Sequence, residues 1–270
     1  MEQTLKYISE TLKQKGVTVT RPGLMYGKMG IAIFFFHYAH FTGDTSFEDC
    51  AMELIESLQE QISQNHVYDY AEGLAGIGVG IEYLAQNKFV AVDTDEVLRD
   101  HDMLIFYTTV IGDHSDVTLL SGLSGTGRYL LFRTARPGFN NVHIPALNNK
   151  ILLIHITDYF ERRIPSLKSN ELEDVYNFLL EMNQANIYPV KTKRLLKILS
   201  SDSSLTNTLI HQRQRKIEIL LGDKISGLSS CDQEKILSEL SPGLYGGLAG
   251  IGLYLLSKLD KRHETWMNLI

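Results

Sequence analysis

Residues 247–252 read GLAGIG, and residues 73–78 read the same six letters. Two related segments, GKMGIA at 27–32 and GLSGTG at 122–127, align with them by their glycines. An apolar run at helical spacing follows each segment, and the intervals of 46 residues (27 to 73) and 49 residues (73 to 122) each accommodate two helices. The repetition predicts paired helices. The gap between 127 and 247 leaves room for one or two units whose glycines are lost.

The glycines of these motifs are predicted to be structural. Glycine lets neighbouring helices approach closely and allows a tight entry turn. The residues concerned are Gly27, Gly30, Gly73, Gly76, Gly122, Gly125, Gly247 and Gly250. A dinucleotide-binding loop is the alternative for Gly76-Ile77-Gly78-Val79-Gly80. It is disfavoured because that fingerprint needs a buried strand before it and another glycine spacing, whereas the polar and aromatic HVYDYAE precedes this segment.

Composition narrows the class of protein. The chain has 270 residues, 44% of them hydrophobic, and lacks a strong alternating pattern, so we predict one all-α domain spanning 1–270. A net charge of −6 disfavours a nucleic-acid partner. The longest notable apolar run is far shorter than the roughly 20 residues that span a bilayer. The N-terminus lacks a secretory pattern and the two cysteines form no CxxC, so we expect a cytoplasmic protein without a membrane span.

The segments GKMGIAIFFFHYAHFTGD (27–44), GLAGIGVGIEYLAQNKF (73–89) and GLSGTGRYLLFR (122–133) resemble the lanthionine synthetase C-like family. The resemblance implies an α/α toroid with inner helices ringed by outer helices, here incomplete relative to the family's seven units. It also implies a role in peptide natural-product maturation of the lanthipeptide type. The partner would be a precursor peptide or a peptide-modifying enzyme. Authentic cyclases of the family use zinc to activate a cysteine thiol that forms a thioether ring.

The resemblance places the family's zinc ligands in the two residues before the first glycine of a unit, which we call the ligand slots. These slots hold Met25-Tyr26, Ala71-Glu72, Leu120-Ser121 and Tyr245-Gly246. None is Cys or His, so we predict no metal site, no cofactor and no catalytic residue. The candidate cavity-mouth residues are Tyr26, Asp69, Glu72 and Tyr245. Glu72 is the first candidate, although a cap for the following helix is an equally good interpretation.

Three functions remain open. The favoured one is a zinc-less module that binds a peptide or a partner enzyme. The second is a toroid enzyme acting on another substrate with the carboxylates of Asp69 and Glu72. The third is an active lanthionine synthetase C-like cyclase with non-standard zinc ligands, such as Cys50, Cys231 and a histidine. Whether the protein is an enzyme is left open.

One further segment is predicted from its spacing. Asp93 is expected to cap a helix on which Val97, His101, Leu104, Ile105 and Thr108 share one face. The carboxylate-rich run 93–102 lacks the glycine of a calcium loop, which favours a solvated helix start.

Overall fold

The computed structural model describes residues 1–62, 67–112, 114–135, 144–201 and 233–270. Within these ranges the regular structure is helical and no strand occurs, so the prediction of an all-α protein is confirmed. The α-helices are α1 (Glu2–Gly16), α2 (Lys28–Thr42), α3 (Ser46–Ile62), α4 (Leu74–Gln86), α5 (Thr94–Val97), α6 (Arg99–Ile111), α7 (Leu123–Thr134), α8 (Ile144–Arg163), α9 (Ser169–Gln184), α10 (Pro189–Ser200), α11 (Gln233–Glu239) and α12 (Leu248–Leu259). Two 3₁₀ segments span Ile164–Ser166 and Lys261–Leu269.

An apolar, largely buried helix begins at each glycine motif: the first glycine lies just before the helix, and the rest of the motif forms its first turns. In α2 every side chain from Lys28 to Ala39 is buried, because the helix is apolar nearly all round rather than along one stripe. Gly43 ends it in the left-handed conformation that favours glycine (φ 74°), and the amphipathic α3 follows and packs along it. A buried helix followed by an amphipathic one is the arrangement that the repeats predict.

The chain divides into two compact units. Unit 1 comprises the described parts of Met1–Val67, Ala71–Gly73 and Gln214–Ile270, and it contains α1, α2, α3, α11 and α12. Unit 2 comprises the described parts of Tyr68–Tyr70 and Leu74–Arg213, and it contains α4 to α10. The single domain over 1–270 stays a prediction, and each unit is described by itself.

Within unit 2, the last glycine of a motif packs against an aromatic ring from another helix. A Cβ added at Gly78 of α4 would lie closer than 3.0 Å to the ring of Tyr129 from α7. Gly127 of α7 meets the ring of Phe178 in the same way. Phe178 belongs to α9, which has no glycine motif of its own. Helix α9 therefore occupies the gap that the sequence left for a unit with lost glycines.

In unit 1, too, the last glycine of a motif packs against an aromatic ring. Gly252 of α12 receives the ring of Phe34 from α2, and a Cβ there would again lie closer than 3.0 Å to it. The loops before the motifs also recur. The amide of Lys28 donates to the carbonyl of Arg21 (2.9 Å), and Leu248 donates to Ser241 (2.8 Å), seven residues apart in both cases. These carbonyls satisfy amides at the helix start that have no partner within the helix.

The segment after Asp93 departs from its prediction. The Asp93 side chain does accept a hydrogen bond from the Asp95 amide (2.9 Å) and caps α5. The chain then leaves helical geometry at Leu98 (φ −97°, ψ 10°), so α5 and α6 are separate helices. The helical spacing does not continue across this break. The prediction that Val97 shares one helical face with His101, Leu104, Ile105 and Thr108 is therefore wrong, because Val97 ends α5 and the other four lie on α6.

None of the described helices combines the length and the apolarity that crossing a membrane would require.

Candidate functional site

Three of the four ligand slots lie in unit 1, where backbone hydrogen bonds join them. The amide of Met25 donates to the carbonyl of Ala71 (2.9 Å), and the amide of Tyr245 donates to the carbonyl of Met25 (2.9 Å). Glycines permit this approach: a Cβ at Gly23 would lie closer than 3.0 Å to the backbone of Ala71 and Glu72. The loops before three motifs therefore form one platform, which we call the slot platform.

Two of the predicted cavity-mouth residues form an aromatic pair on the slot platform. The rings of Tyr26 and Tyr245 have centroids 6.0 Å apart and cross at 85°, an edge-to-face arrangement. Burial raises the pKa of Tyr26, and the nearby Tyr245 and Glu72 raise that pKa further. The Tyr26 phenol consequently keeps its proton at neutral pH. Both side chains remain partly exposed, so they can contact a ligand.

Glu72 is held by a residue that the sequence reasoning missed. The Arg21 guanidinium donates to Glu72 Oε1 at 3.0 Å, with side-chain exposures of 67% for Arg21 and 26% for Glu72. An ion pair this exposed contributes little to stability, but it restrains the direction of the carboxylate. A signal existed in the sequence: Arg21-Pro22-Gly23-Leu24 and Ser241-Pro242-Gly243-Leu244 repeat the pattern x-Pro-Gly-Leu before a glycine motif.

Asp69 and the third slot belong to unit 2. The Asp69 carbonyl accepts the amide of Gly76 at the start of α4 (3.4 Å), and its side chain is partly exposed. The Tyr70 amide donates to the carbonyl of Leu120 (3.1 Å). Ser121 donates its hydroxyl to Asp116 (2.7 Å), so this slot is tied to its own loop. The structure thus brings Tyr26, Glu72 and Tyr245 together in unit 1. Asp69 is placed in the other unit.

The residues of the slot platform do not suit a zinc ion. Zinc in proteins takes Cys, His or carboxylate ligands, and a catalytic site needs three of them. The platform offers two phenols and one carboxylate, and Arg21 already occupies that carboxylate. Across the part of the chain that the structure describes, no group of three or more Cys, His, Asp or Glu side chains could hold a metal ion. The prediction that the protein works without zinc remains a prediction.

The cysteines proposed as unusual ligands differ in what the structure says of them. Cys50 lies near the start of α3, beside the loop that ends α2, whereas the glycine motif lies at the other end of α2. Fifteen helical residues separate these ends by about 22 Å. Burial raises the pKa of the Cys50 thiol, which opposes formation of the thiolate that binds metal. Cys231 lies outside the described residues.

The family model of the lanthionine synthetase C-like proteins matches residues 18–188, which is well over half of the chain. The chain therefore belongs to the lanthionine synthetase C-like family, and the resemblance carried by the glycine motifs is confirmed. Its fold class is the all-α class of the α/α toroid type, and its family role lies in peptide modification. The match includes the first three motifs but ends before the fourth, at 247–252. No curated protein matches the chain.

Proposed function

We propose that this protein is a zinc-less binding module in lanthipeptide-type peptide maturation. It holds a precursor peptide or a peptide-modifying enzyme and does not itself add a thiol to a dehydrated residue. The observation that carries the proposal is the content of the slot platform. Where the family places zinc ligands, this chain presents Tyr26, Tyr245 and an Arg21–Glu72 ion pair.

Such a platform suits binding better than acid–base or metal chemistry. Tyrosine rings supply rigid contact area at low entropic cost, and their hydroxyls can donate hydrogen bonds to peptide carbonyls. The raised pKa of Tyr26 keeps that donor protonated. Arg21 is mostly exposed and can exchange Glu72 for a carboxylate of the ligand. An extended peptide therefore finds aromatic surface, hydrogen-bond donors and an exposed cation together.

A binding experiment tests this role. The probe is a synthetic, fluorescently labelled peptide of the lanthipeptide-precursor type, with serine, threonine and cysteine residues, titrated against the purified full chain. Tyr26→Ala combined with Tyr245→Ala should weaken binding about tenfold or more, because two aromatic anchors are lost. Tyr254→Ala is the matched control, since Tyr254 is a partly exposed tyrosine of the same unit that lies on α12. Equal affinities for the parent and the double variant would refute the role of the platform.

A second experiment separates binding from catalysis. Protein purified without chelator should contain well under one zinc per chain, as measured by elemental analysis. It should also leave the thiols of a dehydrated, cysteine-containing peptide unreacted, as measured by mass spectrometry after thiol labelling. Stoichiometric zinc that disappears in Cys50→Ser or Cys231→Ser would overturn the proposal in favour of a cyclase with non-standard ligands.

A further inference from the structure

Helix α6 exposes most of its large apolar side chains. Residues spaced as i, i+3, i+4, i+7 and i+8 share one helix face, and on α6 this exposed face, which we call the α6 ridge, consists of Met103, Phe106, Tyr107, Val110 and Ile111. Their exposed fractions range from 39% for Phe106 to 78% for Ile111. The opposite face packs into unit 2 through His101, Ile105 and Thr109. Contiguous exposed apolar surface of this kind marks an interaction site more often than a scattered apolar residue does.

A cavity of about 560 Å³ adjoins the N-terminal end of the ridge. Met103, Phe106 and Tyr107 line both the cavity and the ridge, so the two form one continuous surface. The remaining lining residues are polar or charged: Asp93, Asp95, Glu96, Arg99, Asp102, Asn148 and Asn149. All of these residues belong to unit 2.

The cavity carries excess negative charge despite the buried Arg133 beside it. The Arg133 guanidinium donates to Asp95 (2.9 Å) and Asp102 (2.6 Å), and it also pairs with the buried Glu82. One guanidinium therefore serves three carboxylates. Asp93 and Glu96 line the cavity as well, and Arg99 is the one cation in its lining. Across the described ranges, the Glu96 carboxylate makes no ion pair or hydrogen bond.

Asn149 provides an independent sign of a ligand. Its side chain is only 6% exposed, yet it lines the cavity. Within the part of the chain described by the structure, no protein group hydrogen-bonds to its carboxamide. The carboxamide is not fully enclosed by the protein, so it faces the cavity, where water or a ligand can bond to it. The carboxamide oxygen can accept a hydrogen bond from an N–H donor in the cavity.

We propose that the α6 ridge and the adjoining cavity form a docking surface for an amphipathic helical peptide that carries a lysine or arginine. The apolar side chains of the peptide cover the ridge. Its cationic head enters the cavity, pairs with Glu96 and Asp93, and donates to Asn149. This charge complementarity selects a basic peptide over an acidic one. The surface lies wholly in unit 2, so it does not depend on the function proposed for the slot platform.

The test uses the full chain and two labelled synthetic helices. Both carry leucines at i, i+3, i+4 and i+7; one has a lysine a turn before the first leucine, and the other has a glutamate there. The parent should bind the lysine peptide at least about tenfold more tightly than the glutamate peptide at low salt. Glu96→Lys should reverse this preference. Failure of the parent to bind the lysine peptide, or equal binding of both peptides, would overturn the proposal.

Variants of the ridge complete the test. Phe106→Ser should weaken binding of the lysine peptide about tenfold, whereas Val190→Ser, a substitution at an apolar residue of α10 that is 84% exposed, should leave it unchanged. Circular dichroism shows whether each variant stays folded. An equal loss in both variants would indicate non-specific apolar binding and refute the site. Sedimentation velocity tests whether a second copy of the chain binds the α6 ridge instead of a peptide. A dimer of the parent that is absent in Phe106→Ser would show that it does, which would contradict the proposal.

Discussion

Units 1 and 2 share one way of packing helices, yet they bury different polar groups. In both, a motif glycine receives an aromatic ring: Gly252 receives Phe34 in unit 1, and Gly78 receives Tyr129 in unit 2. Beneath this shared construction, unit 1 buries an uncharged pair, His37 and His263, whose Nδ1 atoms lie 2.8 Å apart. Unit 2 instead buries Arg133 among three carboxylates.

The difference separates what builds the fold from what varies on it. The glycines act through backbone geometry, so the buried polar groups near them can differ between the units. Each such group needs only a hydrogen-bond or ion-pair partner. A neutral histidine pair and a charged cluster satisfy that condition by different means. The two units should therefore lose stability through different changes, and the predictions that follow test this.

The largest loss is expected from Arg133→Met in unit 2. The substitution leaves Glu82, whose side chain is 1% exposed, as a buried carboxylate without its cation. Breaking a buried pair in this way costs about 3–5 kcal/mol. Urea denaturation followed by circular dichroism measures the change in the free energy of unfolding. Arg262→Met is the control, because Arg262 forms an exposed pair with Asp260 and should cost at most about 1 kcal/mol.

A second substitution sharpens this prediction. Glu82→Leu in the Arg133→Met background removes the orphaned charge, so it should recover part of the lost stability. If the double variant is no more stable than Arg133→Met alone, the buried-charge explanation is wrong.

A side chain added at a motif glycine should lower the free energy of unfolding by a similar amount in both units. A Cβ at Gly125 in unit 2 would lie closer than 3.0 Å to the carbonyl oxygen of Leu119, and one at Gly30 in unit 1 would meet Leu24 in the same way. Because backbone cannot yield as a side-chain end can, Gly125→Ala and Gly30→Ala should each cost about 3 kcal/mol. At Gly16 a Cβ would meet only ordinary contacts at 3.8 Å, so Gly16→Ala should be neutral or stabilising.

A melting temperature of Gly30→Ala or Gly125→Ala equal to that of Gly16→Ala would show that the motif glycines are not packing residues.

The fold was predictable from the sequence because the glycine motifs act locally. Each motif lies next to the helix it starts, so the repeats disclose the buried helices α2, α4, α7 and α12. Helix α9 carries no motif. The sequence left room for such a unit, but the insertion of Phe178 at Gly127 is a contact between distant residues that spacing alone cannot disclose.

The candidate site was predictable only in part, for a related reason. Tyr26, Glu72 and Tyr245 were found because each lies one or two positions before a motif glycine. Arg21 was missed because its pairing with Glu72 joins loops that are 51 positions apart. The exposed face of α6 was missed because the irregular backbone at Leu98 interrupts the helical spacing from which one continuous face was predicted.

The next effect depends on pH and concerns unit 1. Burial, together with the adjacent His263, lowers the pKa of His37 from its ordinary 6.5 to about 3. Burial also lowers the pKa of His263. Between these pH values the unfolded chain binds protons that the folded chain excludes, so the free energy of unfolding falls as the pH drops from 6.5 towards 3. The slope approaches about 1.4 kcal/mol per pH unit for His37, and His263 contributes in the same direction.

Urea denaturation at several pH values between 7 and 5 measures this slope. His37→Asn should flatten it, whereas His155→Asn, which changes an exposed residue of α8, should leave it unchanged. Burial also lowers the pKa of His101 in unit 2, so His37→Asn should reduce the slope without abolishing it. An unchanged slope in His37→Asn would mean that the histidine pair takes up protons without opening the core.

The smallest effect is expected from Tyr129→Phe, which puts a phenylalanine ring against the motif glycine of unit 2, as already occurs in unit 1. The ring at Gly78 is retained, as Phe34 is at Gly252, but the hydroxyl that donates to Asp102 (2.6 Å) is lost. Asp102 keeps its bonds to Arg133, so the loss should be about 1 kcal/mol. Tyr254→Phe in α12 is the control, with an expected change below about 0.5 kcal/mol. A loss as large as that of Arg133→Met would show that the hydroxyl, rather than the cation, holds the carboxylates in unit 2.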